Sequence, residues 1–364
     1  MTTDLAFRNG YVSQRAIYDE RYEAGRYDRR SAVHVLNAER LALGHAVNRV
    51  LTSAPKTRTI SLFDFGYGTG RVTNEFIGSY VDRYSELGKD LRVVAYDVSS
   101  VGLMKAKEAL SSSSKKFTED APITWRPEDA AGYVAGSVSK SKAGVTITVV
   151  FVHGNEGQDP EVMRRLALEA NDGRKYLLTT SWYSGLGHIP GERLRRDYFR
   201  QLGELTARRG EMVMSVSSTG DLEELQPEFS ERLSSGITGG FPIQAPGDLV
   251  YETELGQSNF YHVFGTELND HMRAIAGRGQ HWWMEGIRYP GEEFSSRQAE
   301  RDNYQRVRKA NESKRDRTWD ADDFREFHTV AAFRSPLAPK KRQQLEAAEA
   351  IGATHRGGCR KGVF

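Results

Sequence analysis

Leu62-Phe63-Asp64-Phe65-Gly66-Tyr67-Gly68-Thr69-Gly70-Arg71 is the stretch on which the fold turns. An apolar run meets an acid, then glycines at alternate positions, then the start of a helical pattern. Thr59 to Phe65 has the length and content of a short buried strand. Alternating glycines allow a sharp turn and a close approach of main chain to a ligand, because no Cβ intervenes. The helix expected from about Val72 to Leu87 opens with N–H groups that lack intrahelical partners. A second apolar strand, Leu91 to Tyr96, runs into Asp97, 27 residues beyond Gly70. A carboxylate there can accept both hydroxyl hydrogens of a ribose. Together these features predict a nucleoside site at a topological switch point.

Outward from this segment, strands and helices alternate. Gly102 to Leu110 and Glu161 to Asn171 carry helical patterns. Ile123-Thr124-Trp125 is expected as a third strand, with Glu128-Asp129-Ala130 after it. Val145 to Val152, almost continuous Val, Ile, Thr and Phe, is expected as a fourth, and Lys175 to Ser181 as a fifth. Such alternation predicts a mostly parallel sheet with right-handed crossovers. Ala16 to Leu51 reads as one or two amphipathic helices ahead of the sheet. Beyond Trp182 the pattern changes: a helix from Arg193 to Arg209, strands at Met212 to Ser217, Leu249 to Leu255 and Phe260 to Phe264, and a helix from Thr266 to Ala276. His281 to Tyr289 and Glu326 to Phe333 are expected as antiparallel closing strands, with charged helices at Ser295 to Arg317 and Lys340 to Ala350. The chain thus divides into an N-terminal helical lid (1–55), a nucleoside-binding core (56–190), a substrate-binding insertion with closing strands (191–335) and a basic tail (336–364).

The glycine spacing separates two nucleoside-binding groups. Dinucleotide sites use G-x-G-x-x-G, with pyrophosphate on the helix N-terminus. Here the spacing is G-x-G-x-G, with Asp64 two residues before the first glycine. This resembles motif I of class I S-adenosylmethionine-dependent methyltransferases, well over Leu62 to Ser181 and in outline elsewhere. The resemblance implies a Rossmann-like α/β sheet, mostly parallel with an antiparallel closing strand, and S-adenosylmethionine as cofactor. It implies that Asp64 and Gly66 meet the methionine end, with Gly68 and Gly70 as close-approach positions. Asp97 would bind the ribose and Val98 would pack on adenine. Asp129 and Ala130 would lie near the adenine amino group, and Val152 would join the cofactor-binding set. Phe151 to Asn155, ending the fourth strand, would face the transferred methyl. Tyr22 and Tyr27, in a tyrosine-rich segment before the first strand, would cover the cofactor. Tyr67 is bulkier than the small residue usual within such a loop.

Methyl transfer from a sulfonium needs mainly a positioned nucleophile and excluded water, and a base only if the nucleophile enters protonated. His153 is the expected base, because its ordinary pKa lies near neutral. Asn155 or Glu156 is expected to hydrogen-bond an amine or hydroxyl. Tyr183, in the Trp182-to-His188 loop, is expected to wall a substrate pocket. His153, Asn155 and Tyr183 are therefore the catalytic candidates.

Composition narrows the partners. The chain has 364 residues with 51 basic and 49 acidic side chains, net charge +2, which makes no global case for nucleic acid or membrane. No apolar run reaches the ~20 residues of a membrane span. The polar N-terminus lacks a signal-peptide core, so a cytoplasmic enzyme is expected, with a homodimer as a candidate assembly. The single cysteine, Cys359, and scattered histidines predict no metal site. A small-molecule substrate, amino-acid-like or a natural product, fits the near-neutral charge and the aromatic-rich insertion. The end of the fourth strand also has a faint likeness to amino-acid N-methyltransferases of the histidine-betaine type. An RNA methyltransferase is the alternative, from basic clusters such as Arg193 to Arg200. No Asn/Asp-Pro-Pro-Tyr/Phe motif accompanies them. A non-methylating nucleotide binder is the third reading.

Overall fold

The computed structural model describes residues 14–25, 33–112, 115–125, 132–155, 159–217, 247–252, 258–275, 281–287 and 328–334. Helices α1 (Gln14–Glu23) and α2 (Val33–Ser53) precede the sheet. Then follow β1 (Thr59–Phe65), α3 (Thr73–Tyr84), β2 (Asp90–Asp97), α4 (Ser100–Ser111), β3 (Thr118–Ala121), β4 (Tyr133–Lys142), β5 (Val145–His153), α5 (Pro160–Glu169) and β6 (Tyr176–Ser181). The second half adds α6 (Glu192–Leu205), β7 (Thr206–Ser217), β8 (Asp248–Glu252), β9 (Ser258–His262), α7 (Glu267–Ile275), β10 (His281–Ile287) and β11 (His328–Arg334). Asp129, Ala130, Tyr27, the expected helices at 295–317 and 340–350, and the tail 336–364 lie outside the described residues.

Among the described residues, nine strands form one sheet in the order β10-β11-β7-β6-β1-β2-β5-β4-β3. The five central strands, β7 to β5, are parallel. Antiparallel pairs close both edges: β11 on β7 with β10 outside it, and β4 on β5 with β3 outside it. This is the Rossmann-like, mostly parallel sheet with an antiparallel closing strand that the glycine-loop resemblance implied. β1 shows why the centre is parallel. Nearly every position is buried, with Ile60 and Leu62 in one core and Phe63 and Phe65 in the other. A strand covered on both faces needs crossover helices on both. Helices α2, α3 and α4 contribute to the first core, and α5, α6 and α7 to the second. Each fully buried Leu, Ile or Phe contributes roughly 1.5–3 kcal/mol. A buried ion pair also ties α2 to the sheet: Arg49 Nε donates to both carboxylate oxygens of Glu211 on β7, at 2.9 and 2.8 Å.

Three expectations are corrected. Ile123 to Trp125 is not a strand; Thr124 N–H donates to the Ala135 carbonyl at 3.0 Å. The segment Val145 to His153 pairs directly with β2, Asp97 opposite His153, so it is the third parallel strand and not the fourth. Its true hairpin partner is β4, joined through Ala143 and Gly144, which both have positive φ (53° and 76°) as a two-residue hairpin turn requires. Helix α6 ends at Leu205 rather than Arg209, and β7 starts at once with Thr206, whose hydroxyl donates to the Leu202 carbonyl at 3.0 Å.

Candidate functional site

The strand order reverses at β1, with β2 on one side and β6 on the other. A crevice is expected outside the carboxyl ends of the strands at such a point. A cleft of about 850 Å³, open mouth included, lies there. Phe65 and Gly66 follow from β1, Tyr96, Asp97 and Val98 from β2, Asn155 from β5, and Trp182 and Tyr183 from β6. Tyr18 and Tyr22 reach it from α1, while Tyr198 reaches it from α6. Among the described residues, six of those expected from sequence line this cleft: Tyr22, Gly66, Asp97, Val98, Asn155 and Tyr183.

The glycine loop is built by backbone. Gly66 and Tyr67 N–H both donate to the Tyr96 carbonyl, at 2.9 and 3.0 Å, which binds the loop to the end of β2. Gly66, Gly68 and Gly70 all have positive φ, 73°, 53° and 72°, a region costly for residues with a Cβ. Gly68 has a second reason to be glycine, because a Cβ there would stand 2.5 Å from the Tyr22 hydroxyl oxygen. Tyr22 is buried across this loop, and a Cβ on Gly102 would also meet its ring. Tyr67 fits because its side chain turns into the core, where its hydroxyl donates to Asn74 Oδ1.

Asp97 is fixed at the loop's edge. Its Oδ2 accepts Gly68 N–H at 2.6 Å and its Oδ1 accepts Ser99 N–H at 2.8 Å. Burial raises its pKa to about 6, against the lowering effect of these N–H donors. Asp64 sits deeper. Its carboxylate accepts the hydroxyls of Thr73 and Thr180. Burial pushes it up to about 7, with the charges of Glu39 and Asp97 adding to the rise. Asp64 does not line the cleft, so it holds the glycine loop from below while Gly66 meets the open space.

His153 departs from its expected role. The ring is fully buried, its Nε2 lies 3.0 Å from the Val98 carbonyl oxygen, and it packs on Tyr133. It braces the loop after β2 and does not reach the cleft wall. Val152 is likewise buried in the core with Met163 and Leu166. Both follow from the corrected strand order: β5 ends beside the Asp97 loop, and β6 ends on the other side of β1. The segment that faces across the glycine loop is therefore Trp182-Tyr183-Ser184.

That segment carries a strained turn missed at the level of sequence. Tyr183 and Ser184 have φ of 48° and 56°, a conformation that costs of order 1–3 kcal/mol per non-glycine residue. Surrounding contacts hold it. Tyr183 N–H is 2.7 Å from both Glu39 Oε1 and Ser215 Oγ. Ser184 N–H donates to the Ser215 carbonyl at 3.0 Å, and Ser184 Oγ accepts Ser217 N–H at 3.1 Å. The Arg71 guanidinium lies over the Tyr183 ring at 4.6 Å. Glu39 itself is fully buried, and burial raises its pKa. Glu39 gave no pattern signal, since it looks like one charge on a helical face, and Arg71 closes the glycine loop with nothing in sequence to mark Tyr183 as its neighbour.

The fit of a nucleoside follows from two features. Gly66 leaves bare main chain open to the cleft, and Asp97 stands beside it with carboxylate lone pairs; Gly68, expected as a second close-approach position, is covered by Tyr22 and does not line the cleft. Buried polar atoms that lack a hydrogen-bond partner cluster at the end of β6: Ser181 Oγ, Trp182 Nε1 and Glu39 Oε2. An amino-acid moiety, which brings both donors and acceptors, would satisfy such atoms.

No protein-family model and no curated protein matches the sequence. Several solved structures resemble it at low identity. The CcbJ methyltransferase from Streptomyces caelestis is 15% identical over 80% of this chain and 90% of its own, with a TM-score of 0.35. The plantazolicin methyltransferase BamL, solved in complex with a triazolic desmethylPZN analog and SAH, is 11% identical over 92% of this chain and 94% of its own, with a TM-score of 0.42. The Burkholderia thailandensis 1,6-didemethyltoxoflavin-N1-methyltransferase is 12% identical over 88% and 87%, with a TM-score of 0.38. Scores of that size add nothing to the strand order itself. What makes this chain a Rossmann-like α/β protein is the reversal at β1, the five parallel strands around it and the glycine loop at its carboxyl end.

Proposed function

We propose that this chain is an S-adenosylmethionine-dependent methyltransferase that methylates a small molecule. The observation that carries the reading is Asp97, which lines the cleft beside the open main chain of Gly66 while Gly68 N–H holds its Oδ2 at 2.6 Å, in a cleft whose farther wall is aromatic. The loop offers bare main chain with no following pyrophosphate-type glycine spacing, so a nucleoside carrying an amino acid suits it better than a dinucleotide.

In this reading Gly66 and Asp97 hold the nucleoside, Gly68 fixes the Asp97 carboxylate through its N–H, and Val98 and Asn155 lie beside the base. Gly70 and Asp64 shape the loop from behind. When bound, the cofactor supplies a methyl group on a positively charged sulfur. The chain's own residues then have three tasks. Tyr22, on the N-terminal helix, closes over the glycine loop and excludes water. Tyr183, fixed by Glu39 and Arg71, sets the position of the acceptor. Trp182 and Tyr198 provide the apolar wall that a planar small molecule needs. Water exclusion strengthens every electrostatic interaction inside the cleft.

Titration calorimetry with S-adenosylhomocysteine and with NAD tests the reading. Binding of the first and not the second supports it. Undiminished S-adenosylhomocysteine affinity in a Gly68→Val, Asp97→Ala double variant would overturn it.

A further inference from the structure

Three distant segments meet beside the cleft. Tyr18 comes from α1, His188 from the 3-10 turn after β6 (Gly185–His188), and Phe260 from β9. His188 Nδ1 lies 3.1 Å from the Phe260 carbonyl oxygen, and its Nε2 lies 2.6 Å from the Tyr18 hydroxyl. A carbonyl can only accept, so Nδ1 carries the proton. In a neutral imidazole Nε2 is then the acceptor, and the Tyr18 O–H donates to it. The Tyr18 oxygen has spent its own hydrogen on His188. Toward any further partner it can act only as an acceptor. Tyr18 and His188 both line the cleft.

We propose that Tyr18, oriented by His188, is the hydrogen-bond acceptor that selects a small aromatic substrate bearing an O–H or a weakly basic N–H. This deepens the methyltransferase reading of the same cleft and rests on it for the chemistry, though not for the binding preference. Methylation of such a group leaves a proton to be shed. That proton passes to the Tyr18 oxygen as the Tyr18 proton passes to His188 Nε2. The bond from hydrogen to the substrate heteroatom and the Tyr18 O–H bond break, a new Tyr18 O–H and an Nε2–H form, and no electrons change hands.

The strength of the acceptor narrows the substrate. Burial, with Arg21 nearby, holds the His188 pKa down at about 3. A group of that basicity cannot take a proton from an aliphatic ammonium, whose pKa is near that of lysine, about 10.4. It can accept one from the far more acidic adducts of a phenol or an arylamine. Tyr18 is in place for this because α1 is tied down on either side of it: Asp19 accepts the Ser99 hydroxyl, and the Tyr22 carbonyl accepts Lys105 Nζ.

Ligand-observed NMR on the full chain tests the proposal, with phenol, anisole, aniline, N,N-dimethylaniline and benzylamine as probes. Phenol and aniline are expected to bind roughly 3- to 10-fold more tightly than their methylated counterparts, the range of one neutral hydrogen bond. Tyr18→Phe should remove that preference and leave anisole binding unchanged. His188→Asn, which keeps a donor toward the Phe260 carbonyl, should reduce it. Loss of binding for all probes alike in the variants would mark a merely structural role and overturn the proposal. So would equal binding of phenol and anisole to the wild type, a preference for benzylamine, or no probe binding at all. Each probe is measured with and without S-adenosylhomocysteine. A donor preference without nucleoside binding would keep this proposal and sink the methyltransferase reading.

Discussion

Glu39 Oε1 accepts the backbone N–H of Tyr183 at 2.7 Å, joining α2 to the turn after β6 across 144 residues. The contact pins a left-handed tyrosine that would otherwise relax. Glu39→Ala is expected to destabilise the protein by about 1–3 kcal/mol, the cost of an unmade buried hydrogen bond. It should also raise KM for the acceptor more than it weakens S-adenosylhomocysteine binding. Thermal unfolding and calorimetry check the two parts, and an unchanged melting temperature would count against the pinning role.

Asp64 predicts a pH dependence of stability. Its pKa is about 7 in the folded protein and about 3.9 in an unfolded chain. The folded state therefore holds the proton more tightly. The stabilisation from this group is complete below about pH 4 and is lost as pH rises toward 7, at up to roughly 1.4 kcal/mol per pH unit. Asp64→Asn, which mimics the protonated acid between Thr73 and Thr180, should flatten the decline in melting temperature between pH 5 and 8. A slope identical to wild type would contradict the assignment.

Asp97 predicts the opposite trend for ligand binding. Its carboxylate form is the better acceptor for ribose hydroxyls, and it titrates at about 6. S-adenosylhomocysteine affinity should hold steady above pH 7 and fall by up to roughly tenfold at pH 5, one unit below the pKa. Asp97→Asn should bind about 10- to 100-fold more weakly, the worth of a hydrogen bond to a charged group, with the pH dependence gone. Calorimetry across that pH range distinguishes these outcomes.

Gly68 and Tyr22 should behave as a coupled pair. Gly68→Ala places a methyl 2.5 Å from the Tyr22 oxygen at a φ of 53°, and the left-handed backbone alone costs about 1–2 kcal/mol. It should loosen α1 and raise its sensitivity to limited proteolysis. Adding Tyr22→Ala should recover the steric part of the lost stability and leave the backbone part. A double-mutant cycle that is simply additive would show that the two residues do not meet.

The pattern of residues from Thr59 to Asp97 was enough to place β1, the glycine loop, β2 and the carboxylate beside them. These are local features: a strand covered on both faces reads as an apolar run, and alternating glycines read as left-handed turns. Which strands become neighbours is another matter, because hydrogen-bonded edges pair regardless of their distance in sequence. β4 was invisible in Tyr133-Val134-Ala135-Gly136-Ser137-Val138 and the serines and lysines that follow, since this strand, second from the edge, buries only scattered positions such as Ala135 and Val138. Its hairpin moved β5 next to β2, withdrew His153 into the core and brought the Tyr183 turn to the cleft. Glu39 at Tyr183, and Tyr18 at His188, are contacts that folding alone creates, between side chains whose sequence surroundings carry no trace of their partners.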